Sequence, residues 1–141
     1  MVSCFAGVRA ESSRKLSLGF GYPYFSLKYN INPKSAFEIR TAYDTGFFML
    51  GARYSNCFRK SGKFEFLAGG ELDSVTYDSS RINAGGYLGY GFIEGEYFFA
   101  KKTSFVLDFG PVVSALSDTS DSSVSVFDLD FLINAGFYWY F

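Results

Sequence analysis

The chain has 141 residues, of which 18 are Phe, 11 are Tyr and one is Trp, with no histidine and a net charge of -1. Charged residues make up 19% and apolar residues 48%, against about 25% and roughly half in an average soluble domain, so the surplus is aromatic and the deficit is charge. The near-neutral balance excludes a nucleic-acid surface set by bulk charge, two cysteines exclude a disulfide-rich scaffold, and the length suits one domain.

A membrane-spanning helix needs about 20 consecutive apolar residues. The longest apolar blocks are 47–50, 97–100 and 136–141, and the mean hydropathy is only +0.07. A chain like this meets a membrane with strands or not at all.

Residues 1–10 carry two readings. Val2, Cys4, Ala6 and Val8 alternate as a first strand would. Val8-Arg9-Ala10 before Glu11 equally resembles the small-residue cleavage site of a signal-peptide remnant. Residues 11–141 are expected to form a single barrel domain under either reading.

From residue 16 onward the signal is period-2 alternation, the mark of strands with two chemically different faces. Leu16, Leu18, Phe20 and Tyr22 fall on even numbers, then Phe25, Leu27 and Tyr29 on odd ones. The phase flips across Tyr22-Pro23-Tyr24, which predicts a bulge or a turn because proline supplies no ladder donor. Phe37, Ile39 and Tyr43 oppose Glu38 and Arg40; Phe48, Leu50, Ala52 and Tyr54 oppose Arg53, Ser55 and Cys57. Phe64, Phe66, Ala68 and Leu72 oppose Glu65, Glu71 and Asp73, and Tyr87, Ile93, Tyr97 and Phe99 oppose Glu94 and Glu96. Phe105, Leu107, Phe109, Pro111 and Val113 oppose Ser104, Asp108, Gly110 and Ser114. The last run sets Phe127, Leu129, Phe131, Ile133, Ala135, Phe137, Trp139 and Phe141 against Asp128, Asp130, Asn134, Gly136 and Tyr138. Turn clusters separate the runs at Asn32-Pro33-Lys34, Asp44-Thr45-Gly46, Arg59 to Lys63, Asp78-Ser79-Ser80, Lys101-Lys102 and Asp118 to Ser123.

Seven runs result, at 16–30, 35–43, 47–58, 64–77, 81–99, 103–117 and 124–141. A closed antiparallel up-and-down barrel with both ends on one side needs an even number, and eight is the smallest common size. The eighth strand comes from residues 2–9 or from splitting the first run at Pro23. Two barrels fit such strands. A soluble lipocalin-like barrel turns its apolar row inward onto an apolar ligand; a transmembrane barrel turns it outward to lipid. Polar rows that are poor in charge and rich in Gly, Ser and Tyr, apolar rows ending in Phe, Tyr and Trp, and long strands all favour the transmembrane barrel.

The ending Ile133-Asn134-Ala135-Gly136-Phe137-Tyr138-Trp139-Tyr140-Phe141 resembles the terminal strand of bacterial outer-membrane β-barrel proteins, which closes on Phe with apolar residues at every second position before it. In size the chain is similar to the small eight-stranded members of the outer-membrane protein A and X kind. The resemblance implies location in the bacterial outer membrane and recognition by the barrel assembly machinery through Ile133, Ala135, Phe137, Trp139 and Phe141. It also places both termini on the periplasmic side. The turns at 31–34, 59–63 and 100–103 would then be periplasmic; they carry Lys34, Arg59, Lys60, Lys63, Lys101 and Lys102 and no acid. Those at 44–46, 78–80 and 118–124 would be extracellular; they carry Asp44, Asp78, Asp118 and Asp121 and no base.

The expected lumen network is Glu38, Arg40, Arg53, Glu71, Asp73, Glu94, Glu96, Asp108, Asp128 and Asp130. Buried acids need partners, and the cations to supply them are Arg40 and Arg53, with Lys28 a third. The network is a polar plug in one reading and a narrow cation-preferring pore in another. Without histidine, Ser-His-Asp, Cys-His and His-metal chemistry are excluded within the chain. Asp128 and Asp130, two apart on one strand face, are expected to serve arginine rather than act as acid and base. Cys57 points into the lumen by alternation and is not expected to bond Cys4. Gly85-Gly86-Tyr87-Leu88-Gly89-Tyr90-Gly91 lies within a strand and is no phosphate loop. The expectation is therefore a monomeric, non-enzymatic barrel without cofactor, metal or nucleic acid. Its partner is the lipid bilayer and its role structural, surface-contact or adhesive.

Overall fold

The computed structural model describes residues 15–22, 24–79, 82–118 and 125–141; both readings of residues 1–10, and Cys4 with them, lie outside these. Eight strands follow one another: β1 (Leu16–Gly21), β2 (Tyr24–Asn32), β3 (Ser35–Asp44), β4 (Phe47–Ser61), β5 (Phe64–Ser79), β6 (Ile82–Ala100), β7 (Thr103–Asp118) and β8 (Ser125–Tyr140). Each pairs antiparallel with the next, and β8 returns to pair with β1, closing the ring. The first run of the sequence is thus two strands. The phase flip at Tyr22-Pro23-Tyr24 is the join between β1 and β2, which supplies the eighth strand.

The register fixes the geometry of the ring. Cross-strand neighbours lead from Phe64 on β5 through Tyr97, Phe105, Phe137, Phe20, Phe25, Thr41 and Leu50 back to β5 at Ser74. That is a stagger of ten residues (74 minus 64), which for eight strands requires an inclination of about 40° to the barrel axis. Rings meet along this path, Phe64 with Tyr97 at 4.7 Å, Phe105 with Phe137 at 5.3 Å and Phe20 with Phe25 at 5.7 Å between centroids. Two of the tight links depend on glycine at positive φ, Gly46 at 75° and Gly62 at 61°. In a third, the Asn32 side chain accepts hydrogen bonds from the Lys34 and Ser35 amides at 2.8 and 2.9 Å, an Asx-turn arrangement.

The wall is uneven. β1 has 6 residues and β6 has 19, about 20 against 65 Å at ~3.4 Å per residue. β8 pairs with β7 from Ser125 to Trp139 but with β1 only from Gly136 to Tyr140. Among the described residues, its upper part therefore has a neighbour on one side only.

The faces are inverted relative to a water-soluble barrel. Among the described residues, thirty-one large apolar side chains are exposed while eleven hydrophobic residues are buried, and fourteen polar or charged residues are buried with the latter. The up-and-down order brings Lys34, Arg59, Lys60, Lys63, Lys101 and Lys102 to the end that also holds Lys15 and Phe141, and Asp44 and Asp78 to the other. The β5–β6 link falls at 80–81 rather than 78–80. Arg81 and Asp121 lie outside the described residues.

β1 is able to close the ring because its inward residues are small. A Cβ on buried Gly19 meets Ser26 Oγ and stands 2.6 Å from the Tyr138 ring. Gly19→Val is expected to destabilise the barrel by about 1–3 kcal/mol, the usual cost of overpacking, read as a lower urea midpoint in detergent micelles.

Candidate functional site: the polar interior

The charged residues meet because the register puts them opposite one another. Lys28, Glu38, Arg53 and Glu71 are successive cross-strand neighbours on β2, β3, β4 and β5, and Glu94 faces Asp108 across β6 and β7. Signs alternate along the first row, the favourable order for pairs directly opposite. All point into a bore that, in an eight-stranded barrel, is just wide enough for side chains to fill.

Arg53, 1% exposed, is the hub. Its guanidinium reaches Glu94 Oε2 at 2.5 Å, Asp108 Oδ2 at 3.0 Å, Glu71 Oε2 at 3.2 Å and Glu38 Oε2 at 3.9 Å. Its Cζ sits 3.3 Å from the centroid of the buried Phe92 ring. Four carboxylates around one planar five-donor fork is a task for arginine rather than lysine. Arg40 lies beside it, on Glu38 at 3.1 Å, Glu71 at 3.5 Å and Asp108 at 3.6 Å, with Cζ 4.1 Å from the Tyr24 ring centroid. Lys28 is the third cation, 3.1 Å from Glu96 and 3.8 Å from Glu94.

Three cations do not balance six buried carboxylates (Glu38, Glu71, Asp73, Glu94, Glu96 and Asp108). Neutral donors make up part of the difference. Tyr138 O–H donates to Glu38 at 2.6 Å and Tyr90 O–H to Asp108 at 2.6 Å. Ser104 O–H donates to Glu96 at 2.5 Å, the Tyr140 hydroxyl donates to the same carboxylate, and Asn134 Nδ2 donates to Asp108 at 2.9 Å. Charge-assisted bonds of this kind are roughly twice as strong as neutral ones. Asp73 stands apart, with no cation within 4 Å among the described residues. It fits against Gly51, where a Cβ would collide with its Oδ1.

Eight of the ten expected lumen residues are therefore buried in the bore: Glu38, Arg40, Arg53, Glu71, Asp73, Glu94, Glu96 and Asp108. Asp128 and Asp130 are not brought into it, and neither pairs with an arginine among the described residues. Both are exposed on the upper part of β8, beyond the rungs shared with β1, and each accepts a hydrogen bond from the next residue's amide, at 2.8 and 2.7 Å. Ile133, Ala135, Phe137, Trp139 and Phe141 stand exposed on the outer face. Cys57 is buried and free, its thiol 3.4 Å from the Arg59 carbonyl oxygen.

Sequence reasoning gave no role to Tyr24, Tyr90, Phe92, Tyr138, Tyr140 and Ser104. Their signal was parity: Tyr90 and Phe92 share the face of Glu94 and Glu96, and Tyr138 and Tyr140 share that of Asn134.

No group of three or more His, Cys, Asp or Glu is placed to hold a metal ion among the described residues. Toward the basic end the bore opens into a cavity of about 570 Å³, lined by buried Lys28, Glu96 and Tyr140 and by exposed Lys15, Lys34 and Lys60. The chain matches no family model, no curated protein and no solved structure.

Removing Arg53 leaves four carboxylates around an uncompensated space. Arg53→Met is expected to cost about 3–5 kcal/mol, the penalty for breaking a buried ion pair from one side, measured as the shift in urea midpoint. Glu94→Gln added to it should recover part of that loss, giving a coupling energy in a double-mutant cycle.

Proposed function

We propose that this chain is a bacterial outer-membrane β-barrel that works without catalysis, as a structural element of the envelope and a surface for contact. The observation that carries the proposal is the direction of the two rows. Phe137, Trp139 and Phe141 are 53%, 49% and 56% exposed, while Arg40, Arg53, Glu94, Glu96 and Asp108 are at most 2% exposed. Exposing that apolar area to water is unfavourable by about 25 cal/mol per Å², and lipid removes the penalty. A soluble barrel for an apolar ligand needs the opposite arrangement, with its charges outside. The filled bore around Arg53 supports a plug over a pore.

The contact role draws on the upper part of β8. Leu129, Phe131 and Ile133 are 66%, 67% and 70% exposed, more than the apolar residues nearer the chain's end. The stretch bears Asp128 and Asp130 on its other face. Charges on a strand that has a neighbour on one side only discourage indiscriminate edge-to-edge pairing. The tall β5–β8 side is long enough to leave the bilayer and present this stretch to water.

Membrane fractions carrying the protein are expected to show it in the outer membrane, and unheated samples on a detergent gel to migrate as a compact species that heating converts to the slower, unfolded one. Phe141→Ser should lower the assembled fraction several-fold. Recovery of the folded protein in a soluble fraction, with no heat-dependent shift, would contradict the proposal.

A further inference from the structure

The end of the barrel that holds residues 15 and 141 is ringed by cations with few local partners. Lys15, Lys34, Arg59, Lys63, Lys101 and Lys102 are exposed there, and none takes part in an ion pair within 4 Å among the described residues. Lys60, also exposed, pairs with Glu65 at 2.6 Å. The backbone pins four of these cations to the rim. The carbonyl oxygens of Lys15, Lys34, Lys63 and Lys102 accept the amides of Asn30, Cys57, Phe98 and Tyr140 at 2.6–2.9 Å, the last rungs of the ladder. Directly above lies the outward aromatic band. Trp139 is the cross-strand neighbour of Thr103, next to Lys102, and the Phe141 amide bonds the Leu16 carbonyl oxygen, next to Lys15.

We propose that this rim binds the headgroups of anionic phospholipids, so that the leaflet around it is enriched in negatively charged lipid over zwitterionic lipid. The inference rests on the membrane-barrel reading above and adds the partner's chemistry to it. Exposed cations at the foot of an apolar wall stand where acyl chains give way to phosphates. Lysine stems lie along apolar surface while their ammonium groups reach the headgroup layer, and tryptophan and tyrosine mark the same depth. Each basic group near an anionic membrane surface contributes ~1 kcal/mol, falling off within a Debye length. A protein or nucleic-acid partner would have no need of the adjacent ring of lipid-facing aromatics.

Trp139, the only tryptophan in the chain, reports on this site. The protein is folded into vesicles containing equal parts of phosphatidylglycerol and phosphatidylcholine, with bromine on the acyl chains of one lipid or the other. Brominated phosphatidylglycerol is expected to quench Trp139 more strongly, corresponding to roughly fivefold enrichment, the ratio equivalent to ~1 kcal/mol. The excess should vanish in the triple variant Lys15→Gln, Lys101→Gln, Lys102→Gln and shrink at high salt. Equal quenching by the two lipids in the unmodified protein, or an excess that survives in the triple variant, would overturn the proposal while leaving the barrel in the membrane. Quenching by neither would overturn the membrane reading itself. Heat-dependent gel migration verifies that each variant is folded.

Discussion

Closing eight strands leaves a bore no wider than the side chains that enter it, and every second residue of each strand, wherever it has neighbours on both sides, must enter it. That constraint governs the rest of the molecule. A bore filled with apolar side chains makes a soluble barrel. This one receives arginine, lysine, glutamate, aspartate and tyrosine, so most of its large apolar residues are left on the outside. Buried charge in such a space persists only when matched, and matching depends on register. Glu38, Arg53 and Glu71 are direct neighbours across β3, β4 and β5, and a slip of one residue on β4 would exchange Arg53 for the outward Ala52 or Tyr54. The Arg53 hub therefore specifies the pairing of the strands as well as filling the space between them. Buried ion pairs contribute more securely to this sort of specificity than to net stability.

Much of this was legible in the sequence because a strand has a period of two and the two rows differ so sharply. Strand ends fell within a few residues of the turn clusters, and the phase flip at Pro23 marked the join that turns seven runs into eight strands. Alternation identifies a residue's face but not its height. Asp128 and Asp130 have the parity of Tyr138 and Tyr140 and lie on the same face of β8. They sit above the level that β1 reaches, where the face opens to water. β1 is short because the chain turns back after Gly21, so the limit on β8 was set by a strand more than a hundred residues away.

The tyrosines were hard to read for a different reason. In a row next to Phe137, Trp139 and Phe141, Tyr138 and Tyr140 look like more of the same aromatic surplus. Only the closed ring shows that their hydroxyls supply hydrogen bonds to Glu38 and Glu96, which three cations cannot fully serve. The aromatic content thus divides by face: rings without a polar atom dominate outside, and tyrosine hydroxyls inside act as neutral partners for carboxylates. A sequence with this inventory needs few buried cations to keep an acidic interior.

The central claim is the outward direction of the apolar row into lipid, and collision measurements on single spin labels test it most directly. Cysteines placed one at a time from Ser104 to Phe109 on β7, in a background with Cys4 and Cys57 replaced by serine, carry the label in vesicles. Labels at 105, 107 and 109 should collide freely with oxygen, which partitions into the bilayer, and scarcely with a water-soluble nickel chelate. Labels at 104, 106 and 108 should be shielded from both. Nickel accessibility at 105, 107 and 109 equal to that of a labelled loop, or the absence of a two-residue period, would contradict a barrel whose solvent is the membrane.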